Sequence, residues 1–211
     1  MRSSRAEGSL RRRYDIVKRG FDAAGASVAL VLLSPLIAAT AIAVLISFGR
    51  PLLFVQPRPG REGRVFYLRK FRSMRPIDPK RGWLTDEQRL TRFGKILRST
   101  SLDELPSLWN VLRGDMSFVG PRPLLVEYLD HYTVEQSRRH EVRPGITGLA
   151  QISGRNTVDW EDRFALDVRY VDSRRLALDA RILIATVRAV LIREGINAED
   201  HATMRKFSRD T

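Results

Sequence analysis

Carboxylates and cations are the residues of this chain that could carry out chemistry. The adjacent acids Asp103 and Glu104 follow Ser101, and a Ser followed three residues later by Glu is typical of a capping box at the start of a helix. A helix N-terminus favours negative charge, so an Asp placed there stays ionised, as a carboxylate nucleophile or a metal ligand requires. The same pattern also fits a purely structural acidic first turn, which is common in helices.

Cationic residues surround this pair along the chain. Lys70 ends an apolar run, Arg98 precedes the acids, Arg122 lies in a Gly-Pro-Arg-Pro stretch, and Arg143 and Arg155 lie in the next two glycine-containing loops. Guanidinium groups bind phosphate oxygens bidentately, and loop glycines allow backbone N–H groups to approach a phosphate. A carboxylate, Mg²⁺ and several arginines are the components that phosphoryl transfer needs, although each arginine alone is more often a solvated surface charge.

Composition excludes several other kinds of site. Among 211 residues there are 37 Lys and Arg against 24 Asp and Glu, no Cys and only three His, so the formal net charge is +13. Without Cys the chain has no disulfide, thiolate zinc site, iron–sulfur cluster or Cys nucleophile. The charge indicates an anionic partner, which could be a nucleic acid, an anionic membrane surface or a phosphorylated substrate. No nucleic-acid-binding motif, nucleotide-binding P-loop or dinucleotide fingerprint is present, so no nucleic-acid partner is expected.

An uncharged run from Ala23 to Gly49 predicts a membrane segment at residues 11–49. It exceeds the roughly 20 residues that a helix needs to cross a bilayer, and it is too long for a signal peptide. Basic residues flank both ends, which is typical of the cytoplasmic side, and Ser34-Pro35 near the middle predicts a helix break. A re-entrant helix and a spanning helix with a proline kink both fit this pattern.

The remaining residues predict a mainly α-helical protein with a small β-hairpin. The apolar runs 52–56 and 65–70 flank a Pro- and Gly-rich turn and predict the hairpin, and Thr85 with Gln88 predicts a helix that runs from about Asp86 to Arg98. The pattern predicts helices at 124–129, 134–141, 158–171 and 175–193, and loops at 114–123 and 143–148. We therefore expect a catalytic domain at 50–196 and a polar C-terminal tail at 197–211.

Several longer motifs give the chain a family resemblance. They are Lys70–Met74, Arg98–Pro106, Trp109–Leu112, Gly114–Leu124, Arg143–Gly148 and Gly154–Asn156, in this order. This series resembles the bacterial sugar transferases, and specifically the monotopic phosphoglycosyl transferases that load a polyprenol phosphate carrier. The resemblance covers nearly the whole chain, from Lys18 onward.

The resemblance implies a mechanism and a place in the cell. It implies that Asp103 is a nucleophile and Mg²⁺ ligand that attacks the β-phosphate of a UDP-sugar, releases UMP and forms a covalent phosphosugar, which undecaprenyl phosphate then accepts. It implies that Glu104 assists Asp103, and that the phosphates are held by Lys70, Arg98, Arg122 and Arg155. It also implies a compact cytoplasmic α/β domain, amphipathic helices at the surface of anionic inner-membrane lipids, and a re-entrant anchor broken at Ser34 and Pro35. The expected location is therefore the cytoplasmic face of the bacterial inner membrane.

Two details concern the sugar and the size of the enzyme. The segments His201–Met204 and Lys206-Phe207 resemble the end of the N,N′-diacetylbacillosamine 1-phosphate transferases, and the chain resembles the minimal form of the family, without additional N-terminal helices. Leu149, Ile152 and Ser153 depart from the usual family pattern, so the sequence does not define the sugar that the pocket binds. Two alternative functions are a membrane-anchored basic module that binds a nucleic acid or another partner, and a glycosyl transferase that releases UDP. The sequence leaves the oligomeric state unknown.

Overall fold

A computed structural model describes residues 2–154 and 159–192, and within them the chain is mostly helical. The long helix α1 (Arg2–Leu32) is followed by α2 (Ser34–Phe48) and by the antiparallel hairpin β1 (Leu53–Pro59) and β2 (Val65–Phe71). The predicted hairpin is therefore confirmed, with Leu53 paired to Phe71 and Pro59 paired to Val65.

Seven short or medium helices and two further strands complete the described chain. They are α3 (Asp86–Arg89), α4 (Arg92–Ser99), α5 (Ser107–Arg113), β3 (Ser117–Val119), α6 (Val134–Ser137), β4 (Gly145–Thr147), α7 (Leu149–Ile152), α8 (Trp160–Ser173) and α9 (Leu176–Ile192). Short 3₁₀ helices lie between these elements, and one of them is Leu102–Glu104, which we call the acidic turn.

The uncharged run forms two helices that meet at a sharp bend. The axes of residues 11–32 and 34–48 differ by 64° at Leu33. Pro35 lies in the first turn of α2, where its missing N–H costs no hydrogen bond, and the Ser34 hydroxyl donates to the Val31 carbonyl at 2.8 Å. The predicted break is therefore confirmed, and the bend ends one helix and starts another. Neither helix in the described ranges could cross a membrane alone by length and composition, whereas the bent pair together meets those criteria.

Helix α1 packs on α5 and on the hairpin. Ala26 is fully buried with Phe66, Leu68, Val111 and Met116, which form one hydrophobic cluster. The guanidinium of Arg19 donates to the carbonyls of Val111 and Leu112 at 2.6 Å each and so satisfies two carbonyls at the end of α5. The residues just before the uncharged run therefore hold the helix that follows the acidic turn.

Three sequence predictions need correction. The helix expected from Asp86 to Arg98 is two helices, because Leu90 is extended and the Thr91 hydroxyl caps a second start at α4. The predicted loops at 114–123 and 143–148 contain β3 and β4, which form a parallel pair. The segments predicted helical at 124–129 and 134–141 are mainly 3₁₀ turns, and only α6 there is an α-helix.

Candidate active site

The two acids lie in the acidic turn, which is not the capping box that the sequence predicted. Ser101 has φ 57°, in the left-handed region, and its side chain caps nothing. Glu104 is turned away from the Ser101 backbone because its carboxylate binds two cations, and α5 begins only after Pro106. The turn is therefore held by side-chain contacts outside it and not by a helix cap.

Glu104 forms the centre of an ion-pair cluster. Its Oε1 accepts from the Lys70 ammonium and, at 3.3 Å, from the Arg122 guanidinium, although these residues are 34 and 18 positions away in the sequence. Burial alone would raise the pKa of Glu104, but the charges and hydrogen bonds of Lys70 and Arg122 outweigh it and lower the pKa to about 2. Glu104 is thus ionised at every physiological pH and fixes the two cations in place.

Asp103 has the opposite environment. Its side chain is buried, with the residue 8% exposed, and no described residue makes a hydrogen bond or ion pair with its carboxylate. Burial, followed by repulsion from Glu104, raises its pKa to about 6, while Lys70, Arg98 and Arg122 oppose this rise. The expectation that a helix N-terminus controls the ionisation of Asp103 is therefore wrong, because burial has the largest effect on its pKa. At neutral pH Asp103 is still mostly ionised, and as a poorly solvated anion it is a suitable nucleophile.

Arg98 is held beside the acidic turn by the segment that follows β2. Its Nε donates to the Ser73 hydroxyl at 3.1 Å, and its terminal nitrogen lies 3.1 Å from the Met74 sulfur. Helix α4 can approach this segment only because residue 94 is glycine: a Cβ there would lie 2.0 Å from the Ser73 carbonyl oxygen. This close packing holds a guanidinium near Asp103, where its charge lowers the pKa of the carboxylate.

Two side chains of α5, the helix that follows the acidic turn, attach this helix to β2. Buried Asn110 accepts from the Arg69 N–H at 3.1 Å and donates to the Tyr67 carbonyl at 2.9 Å, and the Ser107 hydroxyl donates to the Arg69 carbonyl at 2.9 Å. These bonds satisfy the backbone edge of β2 that faces away from β1. They also bring Glu104 to Lys70. Sequence reasoning missed Ser107 and Asn110 as positioning residues, and the only signal was that Asn110 lies within the Trp109–Leu112 motif.

The loop that carries Arg122 is built on close backbone contacts. Gly120 donates to the Thr147 carbonyl at 2.9 Å, and a Cβ on Gly120 would lie 2.4 Å from the Arg143 carbonyl oxygen. Any side chain at residue 120 would therefore separate this loop from β4. Of the predicted cations, Arg143 lies behind the loop, where it donates to the Gly114 carbonyl at 2.9 Å.

A buried ion pair is attached to the backbone of the same loop. Arg139 donates to the Arg122 carbonyl at 2.8 Å and to the Asp167 carboxylate at 2.6 Å, and the two side chains are only 1% and 2% exposed. The Tyr132 hydroxyl accepts a third bond from Arg139 at 3.0 Å. Sequence reasoning missed this pair as well, because nothing in the pattern distinguishes Arg139 or Asp167 from surface charges.

The structure thus brings Lys70, Glu104 and Arg122 into direct contact and places Arg98 close enough to act on Asp103. The fourth predicted phosphate ligand, Arg155, lies outside the described residues, as do the tail motifs from His201 onward. Leu149 and Ile152 pack against Val119, Tyr170 and Ile182, whereas Ser153 is exposed.

The carboxylates would suit a hard cation only with help from a substrate. The described ranges contain no group of three or more His, Cys, Asp or Glu residues that could hold a metal ion. Mg²⁺ is commonly bound through one or two carboxylates together with substrate phosphates and water. The unpaired carboxylate of Asp103 fits that mode.

The chain is similar to a known protein family over most of its length. The family model described as bacterial sugar transferase matches residues 13–193 of the chain. The chain belongs to the bacterial sugar transferase family. The sugar transferase is 51% identical to "Uncharacterized sugar transferase EpsL" of Bacillus subtilis (strain 168), over 92% of this chain and 96% of that protein.

Other relatives of this sugar transferase have names that state a reaction. The UDP-glucose:undecaprenyl-phosphate glucose-1-phosphate transferase of Caulobacter vibrioides is 40% identical over 84% of this chain and 70% of its own length. The UDP-N-acetylgalactosamine-undecaprenyl-phosphate N-acetylgalactosaminephosphotransferase of Aeromonas hydrophila is 38% identical over 84% of this chain, but the sugar transferase spans only 44% of it.

Proposed function

We propose that this sugar transferase moves a sugar 1-phosphate from a UDP-sugar to undecaprenyl phosphate, and that Asp103 is the nucleophile. The observation that carries the proposal is the contrast within the acidic turn. Glu104 is held by Lys70 and Arg122, whereas the buried carboxylate of Asp103 is left unpaired by the described residues. Relatives named for transfer between a UDP-sugar and undecaprenyl phosphate support the same substrates.

The reaction takes place in two steps at one phosphorus atom. A carboxylate oxygen of Asp103 attacks the β-phosphorus of the UDP-sugar, the bond from that phosphorus to the bridging oxygen breaks, and UMP leaves with the electron pair. A phosphate oxygen of undecaprenyl phosphate then attacks the same phosphorus and displaces the Asp103 carboxylate. The products are UMP and undecaprenyl-diphosphate-sugar. Division into two steps lets a nucleotide and a lipid use one small site in turn.

The cations of the site suit charge that develops on phosphate oxygens. Lys70 and Arg122 are fixed by Glu104, and Arg98 is fixed by Ser73, so these groups need little rearrangement during transfer. The motif match adds Arg155 as a further phosphate ligand. Asp103 would also hold Mg²⁺ together with substrate phosphates, and the ion would supply neutralisation of phosphate charge.

The anchor belongs to the same proposal. We propose that α1 and α2 enter and leave the membrane on the cytoplasmic face, which is supported by the 64° bend and by basic residues at both ends of the uncharged run. Single Cys residues placed before Arg11 and after Pro57 should then react with an impermeant reagent only from the cytoplasmic side. Labelling from opposite sides would contradict the re-entrant arrangement.

Nucleotide release tests the reaction. Detergent-purified protein is given Mg²⁺, undecaprenyl phosphate and a panel of UDP-sugars that contains glucose, N-acetylgalactosamine and a diacetamido sugar, the last on the strength of the tail resemblance. We expect UMP with one of these sugars, and no UMP after EDTA treatment or in Asp103→Asn. Release of UDP would instead support glycosyl transfer, and substantial transfer by Asp103→Asn would remove Asp103 as the nucleophile.

A further inference from the structure

We propose that one face of α2 positions Asp103, so that Val44 in the membrane anchor is a positioning residue for the transfer reaction. The proposal rests on the proposed function of Asp103. The face consists of residues at helical spacing, Ile37, Ala41, Val44 and Phe48, which we call the inward stripe. Val44 at its centre is 0% exposed.

The inward stripe belongs to the same hydrophobic cluster as side chains from the elements around the acidic turn. The hydrophobic cluster that contains Val44 also contains Phe71 at the end of β2, Leu97 in α4, and Leu102 and Leu105, which flank Asp103 and Glu104 on either side. The anchor therefore forms one wall of the cluster on which the acidic turn rests. Because interiors are close-packed, a loss of volume in the wall shifts the groups that rest on it.

The opposite face of α2 has a different environment. Leu36, Ile42, Leu45 and Ile46 are exposed, and Ile46 is 80% exposed. A surface of this kind suits lipid contact, and its side chains do not support the catalytic domain. The helix thus offers a matched comparison between the two faces.

Polar contacts fix the end of α2 relative to the active site. The Arg72 guanidinium donates to the Gly49 carbonyl at 2.8 Å and also to the Phe48 carbonyl, and the Phe48 ring lies 5.8 Å from the Phe93 ring. Arg72 follows β2 directly, and Lys70 lies two residues before it. The last turn of the anchor is therefore attached to the strand that carries a phosphate ligand.

Substitution of single residues on the two faces tests the proposal. Val44→Ala removes two methyl groups from the inward stripe, whereas the control Ile46→Ala removes more carbon from the exposed face. We expect Val44→Ala to lower kcat on the order of ten- to a hundredfold, because small misplacement of a reacting group has effects of this size, and to leave KM for the UDP-sugar within about twofold. Ile46→Ala should leave both kcat and KM unchanged.

A thiol probe measures the position of residue 103 without any substrate. The chain has no Cys, so the single thiol of an Asp103→Cys variant can be alkylated by iodoacetamide without background. We expect faster alkylation when Val44→Ala is added and no change with Ile46→Ala, with both proteins kept below their unfolding temperatures.

The two measurements separate the possible failures. Equal kcat and equal alkylation rates for the two face variants would overturn the positioning role of Val44, even if the wild-type protein releases UMP. If the wild-type protein releases no UMP, the proposed function fails, but faster alkylation in the Val44→Ala background would still support the coupling between the anchor and the acidic turn.

Discussion

Replacement of Asp103 by Asn should abolish transfer and at the same time stabilise the protein at neutral pH. Burial and Glu104 raise the pKa of Asp103 from 3.8 to about 6. Because a pKa change of one corresponds to about 1.4 kcal/mol, ionised Asp103 reduces the free energy of unfolding by up to about 3 kcal/mol. Asparagine has nearly the same shape and carries no charge, so the variant avoids this loss.

The sign of the effect depends on pH in a defined way. A carboxyl group whose pKa is higher in the folded state than in the unfolded state favours the fold when it is protonated. This contribution to the free energy of unfolding is complete at low pH and is lost as the pH rises through the folded pKa of about 6. The free energy of unfolding of Asp103→Asn should therefore exceed that of the wild type by about 3 kcal/mol at pH 7.5 and by about half of that at pH 5.

Thermal unfolding in detergent, followed by tryptophan fluorescence, measures this difference. For a protein of this size it corresponds to a rise in Tm on the order of 5–10 °C at pH 7.5. The control is Asp130→Asn, since Asp130 is exposed and its replacement should change neither Tm nor the pH dependence. An unchanged Tm for Asp103→Asn at pH 7.5, or an equal gain at pH 5, would refute the assignment of the raised pKa to buried Asp103.

Three further outcomes follow from the same contacts. The acid limb of kcat/KM should lie near pH 6, and Glu104→Gln should move it to lower pH in a pH–rate profile of the residual activity, because removal of the neighbouring negative charge lowers the pKa of Asp103. Asn110→Leu should lower the free energy of unfolding by about 2–3 kcal/mol in denaturant titration, because two backbone groups of β2 lose their partner. Asp167→Asn should cost about 3 kcal/mol by the same titration because Arg139 is left buried without its counter-ion, and the double change with Arg139→Met should recover much of this loss.

The elements with periodic or Gly- and Pro-bounded sequences could be predicted, and those that depend on distant contacts could not. Apolar runs around a Pro- and Gly-rich turn indicate the hairpin, and the Thr85–Gln88 capping box is present in the structure. Strands β3 and β4 have only three residues each and lie in Gly- and Pro-rich segments, so no alternation could reveal them. Their pairing depends on a glycine contact between segments that are about 25 residues apart in the sequence.

The site shows the same division. Residue types and family motifs indicated Lys70, Arg98, Asp103, Glu104 and Arg122, but the roles of the two acids follow from burial and from partners that are distant in the sequence. The Ser101–Glu104 pattern predicted a helix cap, and that prediction was wrong because the Lys70 and Arg122 charges attract the Glu104 carboxylate more strongly than a backbone N–H does. A local pattern cannot include such competition.

The attachment of α5 to the hairpin has a consequence for the behaviour of many copies of the chain at high concentration. A strand edge with unpaired N–H and C=O groups can recruit a strand from another molecule, and this leads to aggregation. Ser107 and Asn110 bind the Tyr67 carbonyl and both backbone groups of Arg69 on the outer edge of β2, so these three groups are not available to a neighbouring hairpin. The same two residues that bring Glu104 to Lys70 therefore protect crowded copies of the enzyme from pairing through this strand.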